Sequence, residues 1–149
     1  MDITLQDITE DNFEDYMDME LPAHQRDLLA SNAYSIAQAR FYPDYIPRGI
    51  AYDGEPAGFL LYDRRAGDED GHVAIYRFMV DHPRQGQGIG RRAMALLLRE
   101  LRARDDVRRI TICYHERNGR AKAFYASFGF VEEGTDERGE MVAVLRPAV

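Results

Sequence analysis

Between a run of strand formers and an apolar helical pattern the chain reads Asp81-His82-Pro83-Arg84-Gln85-Gly86-Gln87-Gly88-Ile89-Gly90-Arg91-Arg92-Ala93. Backbone N–H groups at the start of a helix carry partial positive charge and lack intrahelical acceptors. Glycines let an anion approach them, so a loop of this kind predicts a pyrophosphate cradle. Arg84, Arg91 and Arg92 add charge for a phosphorylated ligand. A tight strand-to-helix turn uses glycine for its dihedral angles alone, and three glycines in five residues flanked by arginines exceed that need. A P-loop is set aside because no Lys-Ser/Thr follows the glycines. Gly88-x-Gly90-x-x-Ala93 also fits a dinucleotide fingerprint, with Glu116 as the acid after the next strand. Against it, the polar stretch 81–87 separates strand from glycines, and too little chain remains for the rest of such a sheet.

Outward from the loop, 72–80 reads as a long, mostly apolar strand, and Ala93, Met94, Leu97, Leu98 and Leu101 make one face of a helix from about Gly90. Upstream, Ile50–Tyr52 and Ala57–Tyr62 flank Asp53-Gly54, a two-residue hairpin signal. Before them come a weak strand over 2–8 and a short acidic helix over about 10–19 capped by Thr9. A second helical stretch runs from Pro22 to about Arg40 with Leu29, Ala33, Ile36 and Ala37 at helical spacing. Downstream, 107–114 is β-rich, 118–128 is helical and ends at Gly129, and 130–133 and 141–145 are closing strands. The order β-α-α-β-β-β-α-β-α-β-β predicts an α/β fold, a mixed sheet with helices on its faces. The whole chain, 1–149, is read as one domain.

The formal net charge is −7, opposite to the basic excess of a general nucleic-acid binder, so no nucleic-acid partner is expected. The longest apolar run, 93–98, is far too short to span a bilayer. The acidic N-terminal stretch lacks the pattern of a signal peptide, so no membrane partner and a cytoplasmic location are expected. The single cysteine, Cys113, lies in a β-rich run and is expected to be a buried structural thiol. The four histidines show no metal-ligand spacing, so no metal is expected.

Three stretches carry a resemblance when taken together. Gln85-x-x-Gly88-x-Gly90 matches the acyl-CoA-binding loop of the GNAT (GCN5-related N-acetyltransferase) superfamily. Ile75-Tyr76-Arg77-Phe78-Met79-Val80 is similar to its central strand. Asn118-x-x-Ala121-x-x-Phe124-Tyr125-x-x-x-Gly129-Phe130 is similar to its later helix. The order and spacing hold over about 60 residues. The resemblance implies acetyl-CoA as co-substrate, its pantetheine arm along the main chain of Phe78, Met79 and Val80. It implies the pyrophosphate at the amides of Gln85, Gly86, Gln87, Gly88, Ile89, Gly90 and Arg91. Asn118 would bond the pantetheine; read alone it is a helix N-cap. Tyr125 would be the general acid toward the leaving thiolate; read alone it is a core residue. Where many relatives place a glutamate on the central strand this chain has Tyr76 and Arg77, so the base stays open among Glu116, His115, Asp81 and a water relay.

The segment 30–39 and residues 75–81 are similar to bacterial polyamine (spermidine/spermine) acetyltransferases within that superfamily. The resemblance implies a primary amine substrate flanked by Glu20, Gln25 and Tyr76. The first 25 residues carry eight acidic side chains and no Lys or Arg, which suits a polycation. An antibiotic or peptide amine, or a non-catalytic acyl-CoA-binding module, are the alternatives. A homodimer is expected by the same resemblance.

Overall fold

The computed structural model describes residues 2–23 and 30–147. The elements run β1 (Ile3–Asp7), α1 (Phe13–Met17), α2 (Asn32–Phe41), β2 (Tyr45–Tyr52), β3 (Glu55–Asp63), β4 (His72–Val80), α3 (Ile89–Arg102), β5 (Arg109–His115), α4 (Gly119–Ala126), β6 (Val131–Thr135) and β7 (Glu140–Leu145). This is the order read from the sequence. One seven-stranded sheet has the order β1-β2-β3-β4-β5-β7-β6. All neighbours are antiparallel except β4 and β5, which α3 connects. Asp53 and Gly54 both have positive φ, 49° and 84°, as a primed two-residue turn requires.

The larger core lies between the sheet and α3 with α4. Ile89, Ala93, Leu97 and Leu101 repeat every four residues and are buried with Met94 and Leu98 against Leu60, Val73, Ile75 and Ile110. The opposite face carries a smaller cluster, Tyr16, Phe59, Leu61 and Met79, under α1 and α2. Alternate residues of β3 thus feed both cores, which is why the strand is apolar almost throughout. Tyr16 is fully buried, and its hydroxyl donates to Gln6 Oε1 at 3.0 Å. The ring lies directly over Gly49 of β2, where a Cβ would fall 2.3 Å from it.

Four readings are corrected. α1 starts at Phe13 after Asn12, and Thr9 does not cap it. The Thr9 carbonyl instead accepts from the amides of Asn12 and Phe13, while the Asn12 side chain turns back to accept from Thr9 N. Among the described residues, α2 begins at Asn32, where Ser31 Oγ accepts from Tyr34 N at 3.0 Å. Its inner face is only in part the expected row, of which Leu29 lies outside the described residues and Ile36 packs inward. Asn32 and Ser35 are buried, and Ile36 and Ala39 pack on the smaller core, while Ala37 is exposed. Cys113 is exposed. On β5 the residues 110, 112 and 114 turn inward, and Cys113 alternates to the other face, beyond the part that α1 and α2 cover.

Gly49→Ala forces a methyl group into the Tyr16 ring. We expect a loss of about 1–3 kcal/mol of stability, read from the urea midpoint at unchanged m-value, with Tyr16→Leu in the same background recovering part of it.

Candidate active site

The site is built where β4 parts from β5. The parallel ladder holds from His72–Arg109 to Ile75–Ile112 and ends there. At the next position β4 carries an extra residue: Arg77 faces Leu61 and Ile75 faces Tyr62, leaving Tyr76 as a bulge. A bulge bends and twists its strand. Beyond it β5 stays paired only with β7, through Cys113–Val142 to His115–Glu140. The edge of β4 from 76 to 80 therefore faces a wedge-shaped opening.

Period-two alternation decides which backbone groups face that wedge. Asp81 N donates to Ala57 O at 2.8 Å, and Met79 lies opposite Phe59 in the same register. The polar groups of Met79 therefore point to β3, and those of Phe78 and Val80 point to the opening. The Val80 carbonyl is already taken, accepting from Gln85 Nε2 at 3.1 Å. Of the three strand residues expected to offer backbone, Phe78 and Val80 do so. Met79 instead offers its side chain to the other face of the sheet.

The glycine loop sits at the C-terminal end of β4. Gln85 N donates to His82 O at 3.3 Å, so of the amides expected to meet a pyrophosphate that of Gln85 is already engaged. Gly86 and Gly88 have φ of 82° and 78°, and a Cβ at either would touch nothing within 4 Å. Their outer side is thus open, and Gly88 is the left-handed N-cap of α3. Helix geometry leaves the N–H groups of Ile89, Gly90 and Arg91 without intrahelical acceptors. The Ile89 side chain is buried, pinning the helix start. A Cβ at Gly90 would lie 3.6 Å from Val80 Cγ2, ordinary contact that seats the first turn of α3 on β4. Arg84 pairs with Glu55 at 2.7 Å and lies over the Tyr52 ring. Arg91 donates to Ser127 Oγ and lies 5.1 Å from the Phe128 ring centroid, joining α3 to α4 across the mouth of the wedge.

Across the opening, Asn118 caps α4 with Oδ1 accepting from Ala121 N at 3.1 Å, so the bond to the cap uses its oxygen and not its amide nitrogen. Tyr125 lies about two turns further on. Its ring is buried, stacked on Tyr114 of β5 at 5.8 Å and packed edge-on against Phe124 and Phe130. Burial, then the neighbouring Tyr114, pushes the Tyr125 phenol well above its ordinary range. Tyr114, whose hydroxyl donates to Glu132 Oε2, is pushed up to about 12, chiefly by desolvation.

On the other face lies a recess of about 270 Å3 lined by Met19, Glu20, Leu21, Ala30, Ser31, Asn32 and Met79. The chain leaving α1 is tied to the end of β4: Glu20 N donates to Asp81 Oδ1 at 3.0 Å and His82 N to Glu20 O at 2.8 Å. Asn32 Nδ2 donates to Tyr16 O at 2.9 Å and lies 3.6 Å from Met79 Sδ. Asn32 was not foreseen, although a polar residue inside the row 32, 36, 39 is the mark of a buried anchor. Tyr76 packs edge-on against Tyr45, and its hydroxyl donates to Asp63 Oδ2 at 3.2 Å. Desolvation and that carboxylate hold it as the neutral phenol. Gln25 lies outside the described residues. Of the candidate bases, Asp81 is engaged by Glu20, His115 Nδ1 accepts from Arg117 N, and Glu116 is exposed in the β5–α4 turn. Among the described residues no group of His, Cys, Asp and Glu has metal-site geometry, and no helix is long and apolar enough to cross a membrane.

Known proteins share this fold and parts of this sequence. The spermine/spermidine N(1)-acetyltransferase of Bacillus subtilis is 29% identical over 149 residues, covering 97% of this chain and 98% of its own. An aminoglycoside acetyltransferase in complex with coenzyme A superposes with a TM-score of 0.77 at 18% identity, covering 97% of this chain and 95% of its own. The PaiA N-acetyltransferase of Thermoplasma acidophilum, also in complex with coenzyme A, gives 0.74 at 14% identity over 98% and 99%. Residues 5–130 match the family described as the acetyltransferase (GNAT) family. With the parted strands, the glycine-capped helix and this match together, the chain belongs to the GNAT family of N-acetyltransferases and is an acetyltransferase.

Proposed function

We propose that the enzyme moves an acetyl group from acetyl-CoA to a primary amine of a polyamine, by direct attack of the amine on the thioester. The observation that carries this reading is the unpaired edge of β4 leading straight into the glycine loop. An extended amide-bearing arm fits that edge as an added strand bonded to Phe78 and Val80, by ordinary β-augmentation. A pyrophosphate fits the amides from Gly86 to Arg91, where the open sides of Gly86 and Gly88 leave room. Asn118 Nδ2 meets the same arm from the α4 side. Acetyl-CoA supplies an activated acyl group with a thiolate leaving group. Tyr125, held neutral by burial, donates its proton or a hydrogen bond to the departing sulfur.

Two observations support a polyamine as acceptor. The relative with 29% identity bears that activity in its name. Glu20 lines the recess beside Met79, next to an N-terminal segment rich in carboxylates. A polycation is drawn to such a field before it docks. Tyr76 borders the same side of β4, one position from where the strands part.

Thiol release from acetyl-CoA, measured across spermidine, spermine, short diamines, aminoglycosides and short peptides, is expected to be fastest with the first two. A maximum at another amine keeps the chemistry and removes the polyamine assignment. Coenzyme A binding without turnover on any amine identifies a non-catalytic binding module. Tyr125→Phe is expected to lower kcat by about 100-fold or more while leaving the Kd of coenzyme A unchanged; full activity removes Tyr125 as the acid. Gly88→Val places a β-branched residue at φ 78°, so the KM for acetyl-CoA is expected to rise about tenfold or more as the cradle closes.

A further inference from the structure

Arg77 occupies an unusual electrostatic position. It follows the bulge and shares with Met79 the face of β4 turned toward α2. Its guanidinium is half-buried. One terminal nitrogen donates to the Tyr76 carbonyl at 3.3 Å and the other reaches Gln38 Oε1 at 3.5 Å, while the buried Nε has no partner. Among the described residues no carboxylate pairs with it. Arg48 shows the contrast: its side chain is 13% exposed, yet it lies 3.2 Å from Asp7 and 2.9 Å from Glu100. The groups facing Arg77 are Tyr34 and Gln38 of α2, Tyr45 of β2, Tyr76 of β4 and Arg138 of the β6–β7 turn. Asp63 of β3 stands behind Tyr76, and its two oxygens accept from the Tyr76 hydroxyl and Arg65 N. Arg138 adds to the positive field. Burial works against the charge of Arg77 and lowers its pKa, yet an arginine stays protonated throughout the working range.

An alkyl ammonium must lose a proton before it can attack a thioester, and no candidate base here faces the cleft unengaged except in solvent. We propose that Arg77 does the work of a base by electrostatics: its unneutralised charge beside the open edge of β4 expels the proton from the acceptor ammonium, so that the amine reacts as the free base. This rests on the acetyltransferase reading above. The expelled proton goes to bulk water. The amine lone pair then forms the N–C bond at the acetyl carbon, and the C–S bond breaks with its electron pair on sulfur. The thiolate takes the Tyr125 proton, and one of the two nitrogen protons passes through water to the Tyr125 oxygen while the other stays on the amide. The reacting end of a polyamine is affected most, because the recess that begins two strand residues away at Met79, about 6–7 Å along β4, is lined by Glu20, whose carboxylate favours the charged ammonium. A unit charge at that distance in a partly dry cleft moves an ammonium pKa by about one to two units.

The test is kcat for spermidine acetylation between pH 6 and 10 for the wild type, Arg77→Gln and Arg77→Lys, with thermal unfolding and the Kd of coenzyme A as folding controls. The glutamine variant is expected to move the rising limb of kcat up by about one unit or more, and the lysine variant to keep it near the wild-type position. Coincident limbs for wild type and Arg77→Gln overturn the inference alone, as does a lysine variant that moves with glutamine. A rise in KM confined to carboxylate-bearing amines, with the limb unmoved, also overturns it and makes Arg77 an anion hook. No thiol release by the wild type with any amine overturns the acetyltransferase reading and this inference together.

Discussion

Tyr76 has no partner opposite it on β3, and the parallel ladder on the other side of β4 ends at the residue before it, Ile75. Nearly every feature of the site follows from that local mismatch. A strand in the middle of a sheet ordinarily has both edges paired, and an unpaired buried edge is costly. Here the cost is confined to a few groups. Gln85 reaches back to the Val80 carbonyl, Met79 stays in the β3 ladder, and among the described residues the remaining groups of Phe78 and Val80 turn to the opening. The unmet hydrogen bonds are what the proposed pantetheine arm would satisfy, and pairing of β4 with β3 on one side and of β5 with β7 on the other holds the wedge open.

The two faces of the sheet divide the labour. On the side of α3 and α4, apolar packing is continuous from Ile89 to Leu101 and on through Tyr125, Phe124 and Phe128, so the glycine cradle, Asn118 and Tyr125 are held by one core. The side of α1 and α2 is built differently. Its core is small, its helices are short, and polar residues such as Asn32 and Ser35 are buried in it. A buried amide that bonds Tyr16 O fixes direction better than it adds stability. The face of α3 and α4 is thus the stable frame, and the face of α1 and α2 is the one whose contacts are specific and individually weak.

Helices and strands with strong periodicity were legible in the chain alone. The apolar row of α3, the Asp53-Gly54 turn and the Gln85–Gly90 loop each draw their meaning from neighbours within a few residues. The misread parts depended on distant ones. Which side of α2 turns inward is set by Tyr16 and Met79, not by the count of alanines and isoleucines along the helix. The cap of α1 passed from Thr9 to Asn12 because the Asn12 side chain found the Thr9 amide. Cys113 looked buried within an apolar strand, but burial needs a layer above it, and α1 and α2 stop short of β5.

The sequence by itself determined the order of elements, the place of the glycine-rich loop between β4 and α3, and the presence of an asparagine at the start of α4 and a tyrosine within it. These are local facts, because dihedral preference, helix capping and side-chain period act over three or four residues. Only the tertiary structure decided that β4 bulges at Tyr76, that Phe78 and Val80 rather than Met79 turn their backbone to the opening, and that among the described residues Arg77 has no carboxylate partner while Arg48 has two. Register and charge pairing join residues dozens of positions apart, and a one-residue slip in either strand would exchange the faces without changing any local pattern.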